Sequence, residues 1–542
     1  MRVDAVVVGA GFSGIYMLYK LNQLNLTSIA IEEAEDVGGV WYWNRYPGAR
    51  CDSESYHYNF TFSEELYKKW TWSSKYPDQQ EILTYLQFVS RELGIREQIR
   101  FSTKVSAATY DESANEWLVE LNNGEKIICT YFITAVGSIS KAFIPNYDGL
   151  EGFKGKYHHT GNWVNKEVDF KDKRVAVIGT GSSGVQSIPV IAKDAKELYV
   201  LQRTPNYILP ANNYQFTQDD QNSYRNRYRE IRQAILESKG GTPYRARTIA
   251  AKDDTPEHRL AVLEDAWKRG GLFPTNYSYF DLTIDPESNK YVAEFVKQKM
   301  SEKIKKPEIK NDLLPTHYYN TKRTVVDTNY FETLNQPHVH LKNIRKHPIK
   351  YFTESGIQLE NEHLEVDIVV FATGYDGITG NLFNINIVGR EGKSLSEVWE
   401  SGNKTRTYLG MTANGFPNLF FVTGPQSPTV LTNVPASIEH SVEWITDCIR
   451  YLIENNLSSI EPTLESVEKW SDICYELSKN TLYNETESWY TGANIPGKPR
   501  NIQIYIGGLK AYRDECQRVA DHDYIGFVTK KSSVNNVGIS NL

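Results

Sequence analysis

Two copies of the glycine motif G-x-G-x-x-G occur in this sequence, at residues 9–14 and 179–184. Each follows a short apolar run, Val6–Val8 in the first copy and Val175–Ile178 in the second, and each leads into a helical pattern. Glycine suits these positions because the turn is tight and the backbone must approach a pyrophosphate, which the N–H groups at the start of the helix can bind. The two motifs predict two Rossmann units, with a unit that has lost its ligand as the alternative for either copy.

The end of the second strand in each unit indicates which dinucleotide binds there, because it faces the adenosine ribose. In the first unit, strand 28–31 is followed by Glu32, whose carboxylate can accept hydrogen bonds from ribose hydroxyls and would repel a 2′-phosphate. In the second unit, strand 198–201 is followed by Gln202 and Arg203, and a guanidinium suits a 2′-phosphate. We therefore predict FAD in the first unit and NADPH in the second, with a solvated loop arginine as the alternative for Arg203.

These units predict an α/β fold with two Rossmann-like dinucleotide-binding domains, for FAD and NADP, and a helical insertion in the NADP domain. Apolar strands that break at glycine turns, within 130–138 and 366–376, would carry the chain from one domain to the other. The insertion loses strand alternation and contains a stripe of apolar residues at helical spacing, which we interpret as core packing. The predicted boundaries are 1–140 with 376–542 for the FAD domain, 141–208 with 319–375 for the NADP domain, and 209–318 for the insertion.

Composition excludes several other classes of protein. A formal net charge of −7 provides no broad basic surface, which argues against a nucleic-acid partner. The five cysteines are scattered without a C-x-x-C pair, which argues against a metal site and a flavin disulfide reductase. No apolar stretch approaches the ~20 residues of a membrane span, and the first strand begins too close to Met1 for a secretory signal. We expect a cytoplasmic monomer with no membrane association, no metal and no obligatory protein partner.

The segment FKGKYHHTGNWV, at 153–164, resembles the F-x-G-x-x-x-H-x-x-x-W-[PD] signature of type I Baeyer–Villiger monooxygenases. Phe153, Gly155, His159 and Trp163 match it, and Val164 replaces the final Pro or Asp. The related flavin-containing monooxygenases end the signature in another aromatic residue, so Trp163 favours the Baeyer–Villiger branch. A linker histidine and a packing tryptophan are the alternative to a role in coupling the domains. Further motifs that resemble this family are GGVWYWNRYPGARCD at 38–52, TKR at 321–323, ATGYD at 372–376, FPNLFFVTGP at 416–425 and SWYTGANIPGKPR at 488–500.

The resemblance implies NADPH- and O2-dependent Baeyer–Villiger oxidation of apolar ketones to esters or lactones through a C4a-peroxyflavin, with sulfoxidation as a side activity. That chemistry needs a fixed cation beside the anionic peroxide, and a guanidinium that never deprotonates serves well. By resemblance the cation is Arg323 and the carboxylate that orients it is Asp52, with an ordinary structural ion pair as the alternative. Asn320 stands where the family usually has glycine before TKR. The competing functions are a flavin-containing N- or S-monooxygenase and a non-catalytic FAD/NADPH redox sensor.

The motifs and the resemblance together assign three sets of site residues. The FAD contacts are Gly9, Gly11, Ser13, Gly14, Glu32, Gly39, Val40, Trp41, Asp52, Tyr58 and Val105. The NADP contacts are Thr180, Gly181, Ser182, Ser183, Gly184, Gln186, Arg203, Thr204, Lys322 and Trp489, the last covering the nicotinamide from a C-terminal loop. The substrate pocket comprises Ser138, Ile139, Thr324, Val430, Leu431 and Val434, whose apolar members suit a cyclic, linear or aryl ketone equally well.

Overall fold

The structure is a computed structural model that describes residues 1–163 and 167–532. Its strands are β1 (Arg2–Val8), β2 (Ser28–Ile31), β3 (Ile99–Arg100), β4 (Val105–Asp111), β5 (Glu116–Leu121), β6 (Lys126–Thr134), β7 (Lys156–His159), β8 (Arg174–Ile178), β9 (Glu197–Gln202), β10 (Ile208–Pro210), β11 (Val325–Asp327), β12 (Val339–Asn343), β13 (Ile349–Thr353), β14 (Gly356–Leu359), β15 (His363–Glu365), β16 (Ile368–Phe371), β17 (Asn386–Val388), β18 (Leu419–Phe421), β19 (Leu457–Pro462) and β20 (Phe527–Lys531). Its α-helices are α1 (Phe12–Gln23), α2 (Val40–Trp43), α3 (Glu64–Lys69), α4 (Gln79–Glu92), α5 (Ser182–Ile191), α6 (Gln218–Asn226), α7 (Tyr228–Glu237), α8 (Pro256–Arg269), α9 (Leu272–Asn276), α10 (Pro286–Lys303), α11 (Pro307–Leu313), α12 (Tyr330–Leu334), α13 (Leu395–Val398), α14 (Val434–Glu454), α15 (Leu464–Lys479) and α16 (Leu509–Asp521).

The first glycine motif lies between β1 and α1, in a sheet with the strand order β17-β4-β5-β6-β1-β2-β3 and with β18 also paired to β6. β1 is parallel to both β2 and β6, so Val8 lies opposite Ile31 on one side and Thr134 on the other. Strands β17 and β18 come from the C-terminal part of the chain. The chain therefore returns to its first sheet after building the second one, as a discontinuous FAD domain requires.

The second glycine motif lies between β8 and α5, in a five-stranded sheet with the order β12-β9-β8-β16-β7. The four strand pairs are parallel. Because the carboxyl ends of parallel strands meet at one edge, the ends of β8, β9 and β12 form a common binding edge. A small antiparallel sheet, β13-β14-β15, packs beside these strands through an apolar cluster.

The helical insertion lies between β10 and β11, two short strands that pair in parallel as a separate two-stranded sheet. It contains helices α6 to α11. The predicted apolar stripe on α10 is buried in the same core as the second sheet, which confirms it as packing: Val292, Phe295, Val296, Met300 and, just after the helix, Ile304. The architecture is the predicted α/β fold with two Rossmann-like units and a helical insertion. Within residues 1–163 and 167–532, the helices that are long enough to span a bilayer lack the apolar composition to do so.

Candidate active site

The first glycine loop is shaped to admit a pyrophosphate. Gly9 has a φ of +106°, and a Cβ atom there would lie 2.6 Å from the carbonyl oxygen of Ala135. A Cβ on Gly14 would overlap the carbonyl oxygen of Gly9. Gly11 faces Gly39, whose Cα would lie 3.3 Å from an added Cβ, so two glycine backbones enclose a narrow passage at the start of α1. Side chains at Gly9 and Gly14 would collide with the protein's own backbone, so glycine permits the tight turn that can present the N–H groups at the start of α1 to the diphosphate of FAD.

Glu32 is fixed against this loop. Its Oε2 accepts a hydrogen bond from the Ala10 N–H at 2.7 Å, and its Oε1 accepts one from the Ala34 N–H at 2.8 Å. Burial raises the pKa of Glu32 above its ordinary value, although these two N–H groups act in the opposite direction. Its neighbour Glu33 is exposed and pairs with Lys104 at 3.4 Å. Of the two adjacent carboxylates, only Glu32 lies where the ribose of a dinucleotide would bind.

The other predicted FAD residues surround the same loop. Trp41 donates its indole N–H to the hydroxyl oxygen of Tyr58 at 3.1 Å, which joins α2 to the segment that follows Asp52. Val105 begins β4 with its side chain buried in the apolar core, so only its backbone remains for a cofactor contact.

The second glycine loop repeats this geometry with one open position. A Cβ on Gly179 would overlap the carbonyl oxygen of Ala372, and one on Gly184 would overlap the carbonyl oxygen of Gly179. At Gly181, by contrast, no heavy atom of the described residues lies within 4 Å of the added Cβ. The space in front of the N-terminus of α5 is therefore free for the diphosphate of NADP.

A cluster of cations stands at the binding edge beyond the second loop. Burial lowers the pKa of Lys322 to about 8, and the neighbouring guanidinium groups of Arg203 and Arg345 contribute to the shift. Arg203 follows β9, and Arg345 follows β12, the strand that pairs with β9. Arg345 is absent from the sequence prediction because the adjacency of β12 and β9 is a property of the sheet order. The cluster suits a 2′-phosphate, because a bound anion would offset the repulsion between Lys322 and the two guanidinium groups.

Arg323 and Asp52 meet in the structure. The guanidinium donates two hydrogen bonds to the carboxylate, from Nε to Oδ2 at 2.8 Å and from Nη2 to Oδ1 at 2.7 Å. Nη1 donates to the carbonyl oxygen of Val430 at 3.3 Å. Burial acts to lower the pKa of Arg323, but the Asp52 carboxylate outweighs it and holds the pKa above its ordinary value. The result is a permanently charged, bidentate pair with Arg323 on a cavity wall.

Asn320 preserves the turn that leads to Arg323. Its φ of +61° lies in the left-handed region, which glycine adopts freely and asparagine tolerates better than most residues. Replacement of the family's usual glycine by Asn320 therefore leaves this backbone conformation accessible.

The cavity beside Arg323 has a volume of about 520 Å³. Of the predicted pocket residues, Thr324, Val430 and Leu431 line it. Ile139 packs with Leu431 and Trp489 in an apolar cluster next to the cavity, and the Ser138 carbonyl oxygen accepts a hydrogen bond from the Ile378 N–H at 2.7 Å. Val434 begins α14, packs against the core of the first sheet and is not among the residues that line the cavity, so its assignment to the pocket stays a prediction.

Much of the cavity wall comes from the helical insertion, which the sequence prediction treated only as packing. These wall residues lie on or near α9: Leu272, Phe273, Asn276, Tyr277, Tyr279, Phe280, Leu282, Thr283 and Ile284. Tyr490 and Tyr483 contribute from the C-terminal segment. The only sequence signal for this role is the density of aromatic residues within 273–280.

Hydrogen bonds join the two dinucleotide units around the cavity. Tyr46 donates its hydroxyl to Oε1 of Gln186 at 2.7 Å, and Nε2 of Gln186 donates to the Arg50 carbonyl oxygen at 3.1 Å. The amide of Gln186 therefore binds the FAD side of the protein. Trp163 is buried in the core of the second sheet, and its backbone N–H donates to the Trp43 carbonyl oxygen at 3.1 Å. This signature residue is thus both a packing residue and a link between the units, while Val164 lies outside the described residues.

The C-terminal segment around Trp489 lies over the junction at 375–377. Lys498 donates to Oδ1 of Asp376 at 2.6 Å, and Asn494 donates its side-chain amide to the Tyr375 carbonyl oxygen at 2.8 Å. The Trp489 ring stands 4.6 Å, centre to centre, from that of Tyr490, which faces Arg323 in the cavity. Trp489, the residue predicted to cover the nicotinamide, therefore packs next to the cavity that Arg323 lines.

Two dinucleotide loops on separate sheets, together with a cavity that a fixed cation lines, define a pyridine-nucleotide-dependent flavoprotein. Comparison with known proteins supports this class and narrows it. Residues 2–244 match the family described as flavin-binding monooxygenase-like. The chain is 38% identical over 530 residues to cyclohexanone 1,2-monooxygenase of Acinetobacter sp., covering 97% of this chain and 96% of that protein. It is likewise 38% identical to acetone monooxygenase (methyl acetate-forming) of Gordonia sp., covering 97% and 98% of the two proteins.

Solved structures agree with this assignment. The crystal structure of cyclohexanone monooxygenase from Rhodococcus sp. bound to NADP+ superposes with a TM-score of 0.95 at 38% identity, covering 98% of this chain and all of that one. The chain therefore belongs to the Baeyer–Villiger monooxygenase family, within the flavin-binding monooxygenases. This confirms the predicted family, the oxidoreductase class, and FAD and NADP as cofactors.

Proposed function

We propose that this chain catalyses the NADPH- and O2-dependent Baeyer–Villiger oxidation of ketones to esters or lactones, with Arg323 and Asp52 as catalytic residues. The observation that carries the proposal is the bidentate Asp52–Arg323 pair on the wall of the cavity. A merely structural pair would not need to present its guanidinium to a cavity.

Bound FAD, reduced by NADPH, supplies the oxygen-activating chemistry, and the protein controls charge, position and water. A guanidinium has five N–H donors. Nε and Nη2 each donate one to Asp52, and Nη1 donates one to Val430. The two further N–H groups, on Nη1 and Nη2, would serve Tyr490, which interacts with the guanidinium, and oxygen atoms in the cavity. Arg323 would use them to stabilise the negative charge that develops on the substrate's carbonyl oxygen.

Asp52 would act by orientation, because it holds the plane of the guanidinium without entering the cavity wall itself. Its carboxylate also stabilises the charge of Arg323 in a partly buried site, where an unpaired guanidinium would be costly. Loss of Asp52 should therefore misdirect the cation and leave its charge without this partner.

The apolar walls would bind the body of the ketone and exclude water. Val430 and Leu431 form one side, and Leu272 and Phe273 of the insertion form another. Burial of such side chains against a ketone favours binding by roughly 25 cal/mol per Å² of apolar area. Ring, linear and aryl ketones all satisfy this requirement.

NADPH recognition would depend on Arg203, Lys322 and Arg345 at the 2′-phosphate, with Trp489 over the nicotinamide. The coenzyme diphosphate would occupy the open space at Gly181. The observation behind this part of the proposal is that Arg203 and Arg345 lie close enough to Lys322 to lower its pKa.

Product analysis tests the function directly. The protein is incubated with FAD, NADPH, air and a panel of cyclic, linear and aryl ketones, together with a sulfide and a tertiary amine. Mass spectrometry should find an ester or lactone one oxygen heavier than the ketone, formed faster than any sulfoxide or N-oxide. An NADPH consumption rate that no ketone changes would point instead to a redox sensor. N-oxide as the main product would favour the heteroatom monooxygenases. One of these, phenazine N-monooxygenase of Lysobacter antibioticus, is 38% identical to this chain.

A further inference from the structure

The described residues that line the cavity carry positive charges but no negative ones. Its lining includes two charged residues, Arg323 and Lys239, and no aspartate or glutamate from the described part of the chain. The charge of Arg323 is matched by Asp52. Lys239 has no carboxylate within 4.0 Å and no hydrogen-bond partner for its ammonium among residues 1–163 and 167–532. The ammonium of Lys239 is therefore a positive charge on the cavity wall that no carboxylate of the described residues neutralises.

The fold fixes Lys239 in this position. It follows α7, and its carbonyl oxygen accepts a hydrogen bond from the Leu509 N–H at 2.8 Å at the start of α16. Its side chain lies directly against Gly508, where an added Cβ would overlap Lys239 Cγ. Gly508 has a φ of +92° and lines the cavity too. A glycine with no side chain thus leaves room for the lysine stem at the wall.

The environment of Lys239 disfavours its charge. Burial by the surrounding protein lowers the pKa of Lys239 below its ordinary value. Lys239 as a whole is nevertheless exposed, so water solvates its ammonium at the cavity wall until an anion replaces that water. A bound anion would supply the partner that the protein itself does not provide.

Resting on the ketone oxidation proposed above, we propose that Lys239 is a specificity-determining residue that binds the carboxylate of a keto acid whose carbonyl lies at Arg323. One unopposed ammonium matches one carboxylate better than a doubly charged phosphate. The uncharged residues that line the same cavity, among them Phe273 and Leu431, match an apolar skeleton that separates ketone from carboxylate. The substrate class narrows from apolar ketones to apolar ketones with a remote carboxylate.

Matched pairs of substrates test this assignment in the holoenzyme. Cyclohexanones that carry a carboxylate on alkyl chains of one to five carbons are each compared with their methyl esters, and kcat and KM are measured from lactone formation. For at least one chain length, the acid should exceed its methyl ester by roughly tenfold or more in kcat/KM, mainly through KM, as expected for one charge-assisted contact. The advantage should shrink as the salt concentration rises.

Variants of Lys239 show whether it causes the preference. Lys239→Met, which keeps an apolar stem, should reduce the acid-to-ester ratio to about one, Lys239→Glu should invert it, and Lys239→Arg should retain it. Lys510→Met is the matched control, because Lys510 is an exposed lysine paired with Asp514 outside the cavity, and it should keep the wild-type ratio. Flavin content verifies that each variant is folded.

Two results would overturn the assignment while leaving ketone oxidation intact. One is that the methyl esters are oxidised but no acid has an advantage in the wild-type protein. The other is an acid preference that persists in Lys239→Met and Lys239→Glu. If neither acids nor esters gave a lactone, the proposed function would fail, and the role of Lys239 with it.

Discussion

Recognition of NADPH should weaken at alkaline pH because Lys322 has a pKa of about 8 before the coenzyme binds. Only the protonated ammonium can pair with a 2′-phosphate, so this contribution to affinity is present below the pKa of Lys322 and is lost as the pH rises through it. The other cations of the cluster, Arg203 and Arg345, keep their charge throughout. Glu487 and His317 also lie close enough to interact with Lys322, and burial keeps the pKa of His317 well below this range, at about 3.

The size of the effect follows from the pKa. About 90% of Lys322 is protonated at pH 7 and about 10% at pH 9. If the neutral form binds the 2′-phosphate weakly, the apparent KM for NADPH should rise roughly tenfold between these values. The 2′-phosphate itself does not contribute, because its second pKa of about 6 makes it dianionic throughout.

Initial rates of coenzyme oxidation, measured from pH 7 to 9.5 with saturating ketone, provide the assay. NADH lacks the 2′-phosphate and serves as the control, since any pH effect on the oxygen chemistry is common to both coenzymes. The ratio of kcat/KM for NADPH to that for NADH should fall about tenfold in the wild-type protein and stay nearly constant in Lys322→Arg. A ratio that does not change with pH in the wild-type protein, or that falls as steeply in Lys322→Arg, would refute the reasoning.

Three further substitutions test the rest of the site. Arg323→Ala should abolish ester formation, measured by gas chromatography, while NADPH oxidation continues slowly and yields hydrogen peroxide. Ester formation near the wild-type rate would mean that the Asp52–Arg323 pair has only a structural role. Arg203→Ala should raise the KM for NADPH roughly tenfold through loss of a contact worth about 1.5–3 kcal/mol, and equal losses for NADH would show that the residue acts elsewhere. Asn320→Gly should keep the activity, whereas Asn320→Val should destabilise the protein by about 1–2 kcal/mol, because valine tolerates the positive φ at position 320 poorly. Thermal unfolding measures this difference, and equal melting temperatures for the two variants would contradict this interpretation of the turn.

Local sequence predicted the cofactor loops because dinucleotide recognition is contained within short, contiguous units. In each unit a strand, a glycine turn and the next strand end follow one another within about thirty residues, so residue type and spacing are sufficient. Gly9, Gly14 and Gly179 have the backbone conformations or close approaches that the motif requires. Glu32 likewise lies at the loop where its position after β2 placed it.

Long-range arrangement could not be predicted in this way, because periodicity describes neighbours within one element and not contacts between elements. Asp52 and Arg323 are 271 residues apart, and only the folded chain brings them to 2.7 Å. The pairing of β12 with β9 places Arg345 near Arg203, and the fold brings Lys322 within electrostatic range of both. The fold also turns Val434 towards the core.

The sequence by itself determined that this protein has two dinucleotide units and which nucleotide suits each one, since those properties depend on backbone conformation and single charges at fixed spacing. Only the tertiary structure decided what the cavity presents to a substrate. Its walls combine the insertion, the segment after β18 and the C-terminal segment. Packing among these distant elements leaves Arg323 paired with Asp52, and Lys239 without a carboxylate partner among the described residues, on one surface.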